Sequence, residues 1–339
     1  MSSSEVSRTR VEWLDSLKGI LIVLVVVGHF ILPVHKVGEP ISITYDTIYM
    51  FHMPLFVFVS GLFGKHVIDG SGHLRINKIL TYCLIGILYG FFLRLMEGSS
   101  LSLTSLLSFS SAPWYVICLA SWMILVPFFD RLKPAYGITI AVVISLISTV
   151  QHEQTDFLAL SRTAHFLPYY FGGYYLSTSD LSKIRDSKVR VFAIVFAVFA
   201  TGIFLCIRES ISDYFFLVYG NTSGNLPILN AVIGYIILNL LGIALSIGCI
   251  AAAPKRNRLL KFLGERTLQI YILHRFVRGA LQIGGFYDLM LGSIDSACLT
   301  LCILLLLSFA TCFVSTVPSL TWLSKKLLSL SWKPIIRGN

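Results

Sequence analysis

Two histidines stand where a lipid environment tolerates few ionisable groups. His29 closes the apolar run WLDSLKGILIVLVVVGHF, and His52 lies inside YDTIYMFHMPLFVFVSG. Removing an imidazole from water is unfavourable enough that such a residue reads first as part of a site. A neutral imidazole, whose unperturbed pKa lies near the operating pH, can take the proton of a hydroxyl attacking an activated acyl group. The plainer alternative is that either ring only hydrogen-bonds across a helix bundle, as polar side chains do between membrane helices.

Helical geometry relates these rings to other charges. At 100° per residue, Asp15, Lys18, Ile22 and His29 share one stripe, and a rise of 1.5 Å per residue puts His29 about 16 Å beyond Lys18. The second helix runs back, so His29 and His52 are expected at similar depth, and consecutive helices with a short connection are expected to be neighbours.

Further along, His274, Arg275 and Arg278 fall in an apolar stretch and should face the bundle interior or a water-filled cavity. His274 and Arg275 are candidate substrate or pyrophosphate contacts, with backbone groups or outer-loop carboxylates as the alternative partners. Trp114 and Tyr115 could stack on a sugar face at an outer entrance, or belong to an interfacial aromatic belt. The run His152-Glu153-Gln154-Thr155-Asp156 has an H-x-x-x-D spacing used by some soluble acyltransferases, but a match this short in a short loop is read as coincidence. Gly172-Gly173 permits close backbone approach, by default for packing. No ligand cluster implies a metal, and the seven cysteines all fall in apolar stretches without CxxC spacing.

The elements that carry these residues follow from composition. With 55% hydrophobic and 13% charged residues among 339 and a mean hydropathy of +0.78, the chain cannot cover a soluble globule with polar surface. A bilayer-crossing helix needs roughly 20 apolar residues. The expected fold is an all-α polytopic membrane protein with about ten transmembrane helices, near 14–33, 45–64, 78–96, 113–130, 135–151, 165–177, 190–207, 227–252, 267–287 and 296–317. The first is kept as a helix because no small-x-small cleavage site follows it. The whole chain, 1–339, reads as a single membrane domain without internal repeat, and 318–339 as a possible amphipathic tail on the inner surface.

The net charge of +10 has its explanation in topology. Most Lys and Arg, including Lys183 to Arg190 and Lys255 to Arg266, fall on one side if the N-terminus is cytoplasmic, which makes both termini cytoplasmic. Anionic lipid headgroups, and not nucleic acid, are the expected partners of that charge.

Taken in order, W-L-D-S-L-K-G-I, V-V-V-G-H-F, F-H-M-P-L-F-V-F-V-S-G, W-Y-V, F-G-G-Y-Y-L and T-L-Q-I-Y-I-L-H resemble the membrane-bound acyltransferase 3 family. The likeness is to its small branch, similar to fucose 4-O-acetylase and polysaccharide O-acetyltransferases. The resemblance implies a multi-pass protein of the cell membrane (plasma or inner) that takes acetyl from acetyl-CoA and places it on a carbohydrate hydroxyl of a surface polysaccharide or lipid-linked precursor. It puts His29 at the catalytic histidine, with Asp15 and Lys18 in the same motif. Where the family often has R-x-x-R after the second helix, this chain has Arg75-Ile76-Asn77-Lys78, so Arg75, Lys78 and nearby Lys65 become candidates for the CoA phosphates. A lysine keeps the charge there but not the bidentate fork. His52, Trp114, Tyr115, His274 and Arg275 are the candidate acceptor contacts. A transporter or flippase of a polar solute, with the intramembrane His and Arg lining its path, is the rival reading; no inverted repeat supports it.

Overall fold

A computed structural model describes residues 12–151, 153 and 155–332. In chain order the helices are α1 (Glu12–Ile31), α2 (Glu39–Gly61), α3 (Ile76–Met96), α4 (Leu103–Leu106), α5 (Trp114–Phe129), α6 (Pro134–Thr149), α7 (Leu160–His165), α8 (Leu167–Tyr175), α9 (Thr178–Ile184), α10 (Ser187–Ile207), α11 (Ile228–Ala252), α12 (Arg258–Gly264), α13 (Thr267–Ile283), α14 (Phe286–Ser293), α15 (Ala297–Val314) and α16 (Pro318–Leu328). No strand forms among the described residues; two isolated bridges, Ile68 with Leu74 and Ser108 with Phe157, close turns.

Five stretches have the length and apolarity to cross a bilayer: Glu12–Val34, Ile76–Met96, Ser187–Ile207, Ile228–Ala252 and Ala297–Val314. α5 and α6 are apolar but shorter. The stretch expected as one span over 165–177 is instead the end of α7 followed by α8, with Phe166 between them. Pro168 opens α8, where its missing N–H falls among donors a helix start leaves unpaired anyway. α2 begins at Glu39, ahead of the expected residue 45, because Pro40 pre-sets its first turn.

α1 is the axis of the bundle. Leu17, Leu21, Ile22, Val26, Phe30 and Ile31 are fully buried beneath α2, α12, α13 and α15, as a helix apolar on every side requires. α10 is the opposite case, with only Ala193, Ala200 and Phe204 buried and Phe192, Val195 and Phe199 exposed, the surface of a lipid-facing helix.

Two glycine pairs draw the backbones together around the site. A Cβ on Gly61 would overlap the Tyr170 carbonyl, and one on Gly173 the Phe58 carbonyl, so α2 and α8 touch backbone to backbone. Gly19 and Gly264 join α1 to α12 in the same way, against the carbonyls of Leu260 and Asp15. Gly173 thus has the packing role expected of it, while Gly172 meets only the Phe58 ring.

One end of the bundle collects the basic segments. Glu12 accepts from Lys261 at 2.7 Å and pairs with Arg256 at 3.2 Å. Arg185 donates to the carbonyls of Ile250 and Ala253 at 2.8 and 2.6 Å, meeting the negative end of the α11 dipole. Trp332, the last described residue, donates from its indole to Thr81 at 3.0 Å, so the described chain starts and finishes at this end. In α16, Trp322, Leu323 and Leu328 are exposed beside Lys325 and Lys326; the rest of the expected tail, 333–339, lies outside the described residues.

Candidate active site

Two cavities lie along α1. The outer one, about 340 Å³, is lined by His29 from α1 and His52 from α2. They meet there because Gly28 admits the ring of Tyr49, its absent Cβ falling 3.0 Å from that ring. His52 lies with Nδ1 2.7 Å from the Ile48 carbonyl, which requires the proton on Nδ1 and leaves Nε2 with a bare lone pair. Tyr49 packs edge-on against His52 with centroids 4.9 Å apart.

His29 is half-buried, and its Nδ1 has no hydrogen-bond partner. His274, one of the expected substrate contacts, does not line the cavity. It is fully buried behind His29, ring centroids 5.0 Å apart. Its Nδ1 lies 3.0 Å from the Ile270 carbonyl, and its Nε2 is without a partner. By the same tautomer argument that Nε2 is an acceptor, in the ring next to the unpartnered Nδ1 of His29.

α13 brings Tyr271, Arg275 and Arg278 to the outer cavity. Arg275 donates to the Ser111 hydroxyl at 3.0 Å and to Glu97 at 3.4 Å, so it combines the expected cavity position with the expected outer carboxylate. Trp114 also lines it, stacked on Phe166 at 5.1 Å. Tyr115, expected beside Trp114, lines the other cavity: successive helical residues point about 100° apart. Its hydroxyl lies 2.7 Å from Ser60 Oγ.

That inner cavity, about 320 Å³, is lined by Lys18, His66, Lys78, Ser60, Tyr82 and Tyr115 with an apolar wall that includes Leu21, Phe56 and Met123. Lys18 pairs with buried Asp15 at 2.7 Å. Lys18 therefore belongs to the inner cavity, with Asp15 buried as its partner, and both are separated from His29 along α1. Of the three cations expected to hold phosphates, only Lys78 lines it. Lys65 is exposed, 6.0 Å from the Tyr174 ring centroid, and Arg75 is exposed at the N-cap of α3. A tight turn lies between them. Asp69 accepts from the Ser71 hydroxyl and from the amides of Ser71 and His73; these bonds, the Ser71 hydroxyl first, push its carboxyl down to about 2.

Tyr271 lines both cavities. Its hydroxyl donates to the Ala112 carbonyl, its own carbonyl accepts from the Tyr89 hydroxyl at 3.0 Å, and Tyr115 packs against its ring with centroids 5.4 Å apart. This side chain is a partition between the two spaces. Beyond the outer cavity, Tyr45 and Tyr219 also line a vestibule of about 520 Å³ with His35, Ser42 and the Asp46–Arg208 pair, 3.0 Å apart.

Sequence reasoning missed Arg162, which lines the outer cavity and is fixed by the carbonyls of Phe109 at 2.8 Å and Tyr219 at 3.3 Å. It is aimed there by Leu158 and Ala159, both in the left-handed region at φ 49° and 52°, a conformation non-glycine residues rarely take. The Leu158 amide donates to the Leu107 carbonyl and the Phe109 amide to the Asp156 carbonyl, each at 2.8 Å, and these hydrogen bonds hold that turn. His152 and Gln154 of the H-x-x-x-D run lie outside the described residues, while Asp156 pairs with Arg162 at 3.5 Å.

The family profile of the acyltransferase domain named Acyl_transf_3 matches residues 11–317. Neither a curated protein nor a solved structure matches the chain.

Proposed function

The chain belongs to the acyltransferase 3 family and is a membrane acyltransferase; from that premise we propose that it moves acetyl from acetyl-CoA to a sugar hydroxyl of a surface polysaccharide or its lipid-linked precursor. The observation that carries this reading is the pair of cavities on one bundle with Tyr271 in the wall of both. The donor enters the inner cavity, where Lys18 and Lys78 meet CoA phosphates as point charges. The acceptor enters through the vestibule into the outer cavity. About 16 Å of helix from Lys18 to His29 is a distance that an extended pantetheine arm spans. The basic end faces the cytoplasm of a plasma or inner membrane, and shorter helices such as α5 and α6 complete about ten crossings.

His29 is the general base. A small rotation of its ring lets Nδ1–H donate to His274 Nε2, which leaves His29 Nε2 as the proton acceptor, with His274 as a positioning residue. The acceptor oxygen attacks the thioester carbonyl carbon as its proton passes to His29 Nε2. The C–S bond then breaks, and His29 returns the proton to the leaving sulfur, giving the ester and CoA thiol.

The test combines two readouts on cells lacking the protein, complemented with the intact chain or His29→Ala at matched membrane abundance. These are the proton NMR O-acetyl signal of surface polysaccharide and CoA-thiol release in membranes. Signal and release restored only by the intact chain support the reading. Equal signal from both sinks the base assignment. No signal from either, with thiol release intact, points to another acyl group or acceptor, and absence of both readouts turns attention to solute movement.

A further inference from the structure

The outer cavity holds more positive charge than its surroundings balance. Arg162, Arg275 and Arg278 line it, and among the described residues no Asp or Glu does so. Arg162 and Arg275 have carboxylates nearby, Asp156 at 3.5 Å and Glu97 at 3.4 Å, both long for charge-assisted hydrogen bonds. Arg278 is only 9% exposed and has no carboxylate within 4.0 Å among the described residues. It bonds the neutral Tyr287 hydroxyl, which in turn donates to the Phe30 carbonyl next to His29 at 3.1 Å. The Nε atoms of Arg275 and Arg278 are buried without a hydrogen-bond partner among the described residues.

A guanidinium cannot shed its proton in a protein, and a buried cation without an anion is strongly unfavourable. Arg275 and Arg278 are three residues apart on α13 and therefore share a face. Their forked donors fit a carboxylate or phosphoryl group. We propose that the acceptor is an anionic sugar derivative, whose carboxylate or phosphoryl group is held by Arg278 and Arg275 while its hydroxyl meets His29. This rests on the reading of the outer cavity as the acceptor site.

The test is equilibrium binding to the full chain in lipid nanodiscs, with glucuronate, inorganic pyrophosphate and neutral methyl glucoside as probes. The expected result is saturable binding of at least one anion, weakened on the order of tenfold or more in Arg278→Gln and less in Arg278→Lys, with no competition from methyl glucoside. Preference for glucuronate identifies an acidic sugar; preference for pyrophosphate identifies a lipid-linked precursor. The proposal is overturned if neither anion binds, if affinity is the same in intact protein, Arg278→Gln and Arg275→Gln, or if binding is lost only in Lys78→Gln, which places the anion in the inner cavity. If Arg278→Gln does not assemble, Arg275→Gln and Arg278→Lys carry the comparison. His29→Ala separates the two claims: it is expected to bind the anion normally while failing to transfer. Normal transfer by that variant refutes the base and leaves the anion site standing.

Discussion

The inner and outer cavities are nearly equal in volume, about 320 and 340 Å³, yet they are built from different chemistry. The inner one sets two ammonium groups, one already paired with Asp15, against an apolar wall. The outer one sets imidazoles, guanidinium groups and tyrosines around a polar space. Lysine meets an anion as a mobile point charge, whereas arginine fixes orientation through its fork. The contrast suits a donor held by a charged tail on a flexible arm and an acceptor held in one pose.

The comparison breaks first at His29. His29→Ala is expected to lower kcat by roughly 100- to 10,000-fold with unchanged donor KM, measured as thiol release; an equal fall in donor affinity would merge the two cavities functionally. Tyr271→Ala should uncouple them, raising acceptor-independent thioester hydrolysis by about tenfold, equivalent to ~1.4 kcal/mol; no increase would mean that the side chain is not the partition. Lys78→Gln should raise donor KM by roughly three- to tenfold without moving acceptor KM. Arg75→Ala and Lys65→Ala, both outside the inner cavity, should change donor KM less than about twofold; a larger change in Arg75→Ala than in Lys78→Gln would restore the R-x-x-K pair as a unit.

What could be foreseen from sequence was what helical periodicity controls. The common depth of His29 and His52 follows from rise and direction alone, and both do line one cavity. The same arithmetic set Lys18 far from His29, which is why Asp15 and Lys18 serve another space. The division between Arg75 and Lys78 was not legible, because it depends on where α3 begins: Arg75 stands at its N-cap and Lys78 in its first turn, and the R-x-x-K spacing does not mark that boundary. Arg162 was hidden for a similar reason: a left-handed turn and a cross-loop bridge bring it in from a segment with no periodicity. His274 was recognised as buried and polar, but only its ring contact shows that it backs His29 and does not face the cavity. Tyr271 stands inside the T-L-Q-I-Y-I-L-H motif, but nothing in that motif shows that its side chain borders both cavities.

The seal formed by Tyr271, its Ala112 hydrogen bond and the packed Tyr115 ring has a consequence for the cell as well as for the reaction. If, as proposed, the two cavities open toward opposite faces of a membrane, a file of water joining them would let protons leak down their electrochemical gradient. A neutral aromatic side chain whose hydroxyl is already committed to a backbone carbonyl would break that file, so that on the proposed reading each turnover passes an acyl group through an insulator without discharging the membrane.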